Sequence, residues 1–235
     1  STVARQRTKN INEKTCRADD IVRPGWERSF KAGTRDNAGN YMGGSTIVHL
    51  LGHKGKLYAG NSYWLDSRNM WYGGSDPGKG WAQVLRLDNP GGKWQVDLGL
   101  GPQHLRVEIL KSVTFTTDGQ GKPLPEPVNL LVASTYTPTP NSIDITVFTR
   151  NDDTGIWNRN TIYSGEKPAD NEDRSVRAIN MHRDSVTGVD RIFLSIGKLG
   201  VFSGVYDPQA PGKIRWDNTS ESGPVETRVL AIIEA

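Results

Sequence analysis

Cysteine is almost missing from this chain: Cys16 is the single one in 235 residues. That excludes an intrachain disulfide framework and a cysteine-rich zinc site, leaving a free thiol or a bridge to another chain. Long apolar runs are missing too. No stretch approaches the roughly 18 consecutive apolar residues of a spanning helix, so no membrane span is expected. Charge of one sign is weak, with 29 Lys and Arg against 26 Asp and Glu for a net charge of +3. The densest basic stretch, Arg5-Gln-Arg7-Thr-Lys9, reads as a solvated tail, and no nucleic-acid partner is expected. No segment keeps a 3.6-residue apolar period over about ten positions, so helix content is expected to be small. A Walker-type loop, a Gly-x-Ser-x-Gly elbow and a dinucleotide fingerprint are absent as well.

What the chain does have is turns and short apolar strands. It carries 26 Gly and 13 Pro, and Val, Ile, Leu and Trp recur throughout the region after residue 44, which argues against disorder. One pattern occurs three times: Leu85-Arg-Leu-Asp88-Asn-Pro-Gly-Gly92-Lys-Trp94, Val147-Phe-Thr-Arg-Asn-Asp152-Asp-Thr-Gly155-Ile-Trp157, and Val205-Tyr-Asp207-Pro-Gln-Ala-Pro-Gly212-Lys-Ile-Arg-Trp216. Each is an alternating strand, an Asp/Asn/Pro/Gly turn and a second strand with Trp near its start. The tryptophans are 63 and 59 residues apart, close to one four-stranded sheet plus its loops.

From residue 45 the strands are expected in order. Ser45–Leu51, Lys56–Asn61, Ala82–Asp88 and Lys93–Leu98 make one sheet. Leu110–Thr117, Val128–Thr135, Ile143–Arg150 and Trp157–Ser164 make the next. Val176–His182, Arg191–Ile196, Gly200–Asp207 and Ile214–Asn218 make the third, and Thr227–Ala235 starts another. The near-continuous apolar runs over 128–133 and 191–196 suit strands buried on both faces. This all-β repeat resembles β-propellers, in the sense of an architecture and without the Gly-His…Trp-Asp signature of WD40 repeats. The resemblance implies about three four-stranded blades plus the first strand of a fourth, as part of a larger ring. The divisions are 1–44, a polar N-terminal arm and loop; 45–109, 110–175 and 176–226, three blades; and 227–235, the further strand. Trp26–Lys31 is a candidate for a ring-closing strand.

Three blades do not close a ring, because propellers use four to eight. The expected partners are therefore the remaining blades, from the same precursor or from another chain. A self-contained β-sandwich of three meanders is the alternative. Ser1 in place of Met points to a processed chain or a fragment. The sequon Asn218-Thr219-Ser220 leans towards a secreted or extracellular location.

Two sets of residues could carry function. Turns of the first hairpins would gather around the axis, bringing His53, His182, Arg183 and Asp184 into one funnel as an acid/base set or metal ligands. The alternative is that these groups solvate turns and bridge sheets, and neither a cofactor nor a metal is specified. The long segment from Tyr63 to Trp81 is rich in aromatics. Trp64, Trp71, Tyr72 and Trp81 would offer flat apolar faces to a sugar ring, with Asp66 and Arg68 orienting its hydroxyls. A self-packed loop is the alternative. Asp152-Asp153 reads as a hairpin turn and not as a calcium loop. The expected function is ligand binding, with carbohydrate as the ligand. A carbohydrate-active lyase or hydrolase and a protein-interaction scaffold are the competitors.

Overall fold

The computed structural model describes residues 27–63, 81–101, 104–138, 142–166, 175–227 and 229–233. Backbone contacts divide the chain into Ser1–Phe30 and a larger unit, Lys31–Ala235, which holds every element below. The chain is all-β. A small hairpin, β1 (Thr34–Arg35) and β2 (Tyr41–Met42), comes first. Three four-stranded antiparallel sheets follow, each built from four consecutive strands. The first is β3 (Thr46–His53), β4 (Lys56–Ser62), β5 (Gln83–Leu87) and β6 (Gln95–Gly99). The second is β7 (Val107–Thr117), β8 (Pro123–Pro138), β9 (Ser142–Arg150) and β10 (Trp157–Glu166). The third is β11 (Val176–Arg183), β12 (Asp190–Ile196), β13 (Gly200–Tyr206) and β14 (Ile214–Trp216). Among the described residues, helix is confined to two 3-10 turns, Gly197–Leu199 and Pro211–Lys213.

Alternation explains why these stretches pair and pack as they do. Ile192, Leu194 and Ile196 point from β12 into a core shared with Val113, Phe115, Val132 and Ile145 of the second sheet. Arg191, Phe193 and Ser195 necessarily face the other way. In β8, Leu130 and Val132 enter that core while Leu131 and Ala133 enter a second one, shared with Tyr58 and Val84 of the first sheet. A strand packed on both faces has no room for polar alternation, which is why 130–133 is apolar throughout.

Four expectations need correction. β3 continues through Gly52 and His53, so its turn shrinks to Lys54 and Gly55, both with positive φ (45° and 75°). That is the pairing of a two-residue I′ hairpin, whose twist matches the strands. The arm before residue 45 holds the β1–β2 hairpin instead of only a loop. Asp36 organises it, accepting from the amides of Ala38 and Asn40. Finally, residues 229–233 join no ladder. They are held by side-chain bonds from Asn180 and Ser195 instead of a backbone ladder, and a strand exists only as half of a pair. Residues 27–31 carry no strand either, and Trp26 lies outside the described residues.

The first strands of the three sheets run side by side, β7 touching both β3 and β11. One kind of contact links them in series. His49 Nε2 of β3 donates to Glu108 O of β7 at 2.8 Å, and Lys111 Nζ of β7 donates to Ile179 O of β11 at 2.9 Å. Asn180 Nδ2 of β11 donates onward to Ile232 O at 3.2 Å. Terminal segments lie on the two outer flanks. Tyr41 and Gly43 bond Gln83 and Asn61 of the first sheet, and Asp36 Oδ2 accepts from Val96 N. On the third sheet, Glu221 N bonds Val201 O, Val225 N bonds Lys198 O, and Ser195 Oγ donates to Val229 O.

Gly60 sets the spacing of the first two sheets. A Cβ there would fall 2.8 Å from Cγ1 of Val107. Gly60→Val is expected to lower stability by about 1–3 kcal/mol through overpacking. Gly99→Ala, with nothing within 4 Å of the added carbon, is expected to leave the urea midpoint nearly unchanged.

Candidate functional site

In a four-strand meander the first and third turns lie at the same end of the sheet. The β3–β4, β9–β10 and β13–β14 turns of the three sheets approach one another there. With the start of β8 they enclose a cleft of about 510 Å³. The β9–β10 turn is built by Asn151, whose Oδ1 accepts from the amides of Asp153 and Thr154, and by Gly155 at φ 73°. The Asp152-Asp153 pair is a turn, as its sequence suggests. The β13–β14 turn closes through Gly212 (φ 67°), where a Cβ would strike Thr149 at 2.8 Å, so only glycine lets this turn lie on the second sheet.

Beneath the cleft lies a polar network between the first two sheets. Arg150 grips Asp97 with two nitrogens, Nε at 2.7 Å and Nη2 at 3.2 Å, and reaches Asp152 Oδ1 through Nη1 at 2.8 Å. Trp157 Nε1 donates to Asp97 at 2.8 Å, and Arg86 pairs with the same carboxylate. His53 bridges Ser112 Oγ and Asp152 Oδ2, both at 2.9 Å. Lys54 Nζ meets Asp152 Oδ2 at 2.8 Å. Burial alone would raise the Asp152 carboxyl. The bonds from Lys54, His53 and Arg150 outweigh it and hold that group at about 2. Burial pushes the Tyr58 hydroxyl up to about 12, beneath an Arg150 guanidinium 5.6 Å from the ring centre. Burial works against the Arg150 charge, but bonds to Asp97 and Asp152 prevail and raise its value. These mutually satisfied charges fix the cleft floor and leave Arg150 and Asp97 no valence for chemistry.

The residues expected in one funnel occupy three places. His53 is enclosed between the first and second sheets. Arg183 sits between the second and third, its Nε donating to Asp190 Oδ1 at 2.8 Å and its Nη2 to Thr116 Oγ1. His182 and Asp184 come together, lining a cavity of about 580 Å³ on the far face of the third sheet with Arg191, Phe193, Asp217 and Glu221. Arg191 there lies 3.5 Å from Asp217 and 3.9 Å from Glu221. The Asp184 carboxyl is lowered by the amide of Val186 and by Thr187, as expected of a turn-forming aspartate. Among the described residues no group of three His, Cys, Asp or Glu could hold a metal ion.

Of the aromatic loop, Trp64, Asp66, Arg68, Trp71 and Tyr72 lie outside the described residues. Trp81 is half-buried just before β5. The cleft residues Asn129, Asn158, Gln209 and Lys213 were not singled out by the sequence, and Asp153 was read only as part of a turn. Their one signal was membership of hairpin turns or the strands beside them. Comparison with family models, with curated proteins and with solved structures finds no match.

Proposed function

We propose that the chain is a recognition polypeptide of the β-propeller type that binds carbohydrate at the turn-bearing end of its sheets. The propeller reading is supported by three consecutive up-and-down sheets whose first strands lie side by side and are linked in series. The observation that carries the ligand class is the make-up of the 510 Å³ cleft. It sets amide, carboxylate and ammonium groups (Asn158, Asp153, Lys213) beside the apolar surfaces of Pro127, Val128 and Pro211. A sugar needs both, hydroxyl partners around its rim and an apolar surface under its C–H face. The unreactive network below suits holding a ligand, since a site that only binds needs fixed groups and no free acid or base. Asn218, exposed within its sequon, fits a secreted or extracellular setting.

One observation favours a second reading. His182, Asp184, Asp217 and Glu221 share the 580 Å³ cavity, and acid/base hydrolysis of a glycan calls for such a set of groups. A single experiment separates the two. The chain is applied to an oligosaccharide array and the eluate is analysed for shortened glycans. Retention without cleavage is expected. Asp153→Ala with Asn158→Ala, at an exposed and a half-buried position, is expected to weaken retention by about tenfold or more with an unchanged melting curve. Cleavage that vanishes in His182→Ala would replace recognition by catalysis. Absence of any retained glycan would remove both.

A further inference from the structure

We propose that two copies of this chain associate through their terminal flanks, closing three sheets from each into one six-sheet ring. This rests on the propeller reading above and adds the identity of the missing half. The series of inner-strand contacts has a third member beyond the last sheet. His49 reaches Glu108 O, Lys111 reaches Ile179 O, and Asn180 reaches Ile232 O. Ile232 thus occupies the place at which a fourth inner strand would begin.

At the opposite flank the series lacks its first member. His49 and His53 turn towards the second sheet, so Leu50 faces away from it. Leu110 of β7 and Ile179 of β11 point back at the sheet before their own and are 6% and 4% exposed, covered by that sheet. Leu50, pointing the same way from β3, is 61% exposed. Ile47 and Val48 beside it are exposed too, as are Leu230 and Ile233 on the other flank. Among the described residues, the remaining large exposed apolar side chains are Ile156 and Val186, both in hairpin turns.

Each flank therefore lacks what the other supplies. The β3 face wants an apolar neighbour before it, and residues 229–233 want a sheet after them. The terminal segments already bond β4, β5 and β6 on one flank and β12 and β13 on the other, and the uncovered apolar side chains lie on β3 and on residues 229–233. A second copy related by a two-fold axis makes both contacts at once and leaves neither patch open. Six sheets fall within the four to eight that radial sheets adopt. The pairing continues between copies the interface that joins sheet to sheet within one.

Sedimentation velocity of the full chain tests this. A dimer is expected. Leu50→Asp and Leu230→Asp are each expected to raise its dissociation constant on the order of 100-fold, giving folded monomers by circular dichroism. Val186→Asp, at an exposed turn away from both flanks, is expected to leave the dimer intact. A wild-type monomer at micromolar concentration overturns the proposal, and so does a dimer indifferent to Leu50→Asp. Small-angle scattering of the monomeric variant separates this failure from that of the propeller reading. Sheets fanned about an axis keep the propeller without the dimer, whereas a two-layer stack removes both.

Discussion

Replacing Arg150 by methionine is expected to lower the stability of the fold by about 3–5 kcal/mol, the usual result of stranding one partner of a buried ion pair. In a unit of this length that is a fall in melting temperature of about 6–20 °C. The size of the effect follows from what stays behind. Asp97, with 2% of its side chain exposed, would keep only Arg86 and the Trp157 indole against an uncompensated charge. Asp152 would lose its bond from Arg150 as well, and with it part of what holds the His53 ring and the β3–β4 turn. Arg150→Met combined with Asp97→Asn removes the charge and its partner together. It is expected to recover a good part of the loss, because a neutral pair is far cheaper to bury than a lone carboxylate. Lys56–Asp88, whose side chains are 41% and 28% exposed, is the control, and Lys56→Met is expected to move the transition little. A single variant as mild as that control would show that the network is ornamental.

Acid is expected to weaken the fold well before its carboxylates titrate, by about 3 kcal/mol between neutrality and pH 4, and His104 is the cause. Burial, helped by the nearby Arg159 charge, lowers this imidazole from 6.5 to about 4. Its Nδ1 donates to Thr135 Oγ1 at 3.1 Å, the Thr135 hydroxyl in turn donating to Arg106 O, a bond either form of the ring can make, so burial and the Arg159 charge decide for the neutral one. The folded value lies below the unfolded one, so the unfolded chain binds the extra proton first. Stability is complete above about 6.5, falls as the pH drops through the window, and levels off below about 4. Asp152 acts later: its depressed value makes its contribution complete above 3.8 and lost as the pH falls towards about 2. Urea unfolding at pH 7 and at pH 4 measures the first effect. His104→Asn is expected to flatten most of that limb, leaving a smaller one from His49, which burial also lowers. An undiminished limb in that variant would assign the acid sensitivity elsewhere.

The strand order was legible because it is written locally. Trp157 follows a glycine turn and opens an alternating run, and β10 begins at that residue. The apolar stretch 191–196 is β12 but for Asp190, which joins the ladder because its side chain binds Thr116 in the sheet before. What failed was either very short or non-local. Thr34–Arg35 is too brief to show a period, and its one signal was the Asp-Asn-Ala-Gly turn beside it. Arg150 ends β9 and Asp97 stands in the middle of β6, 53 positions apart, and no spacing rule joins them. The same holds for the cleft, whose walls come from three turns that each look ordinary. His182 and Arg183 illustrate a further limit. Adjacent in sequence, they sit on opposite faces of β11, so a run of chemically suggestive neighbours on a strand is divided by the pleat.

Each of the three sheets is one uninterrupted stretch of polypeptide, with no strand borrowed from another. Such a chain can grow or shrink by tandem duplication or deletion of a whole stretch without rethreading, because no hydrogen-bonded ladder crosses the joint. The apolar and polar side chains that meet between neighbouring sheets are then the parts that must be matched anew.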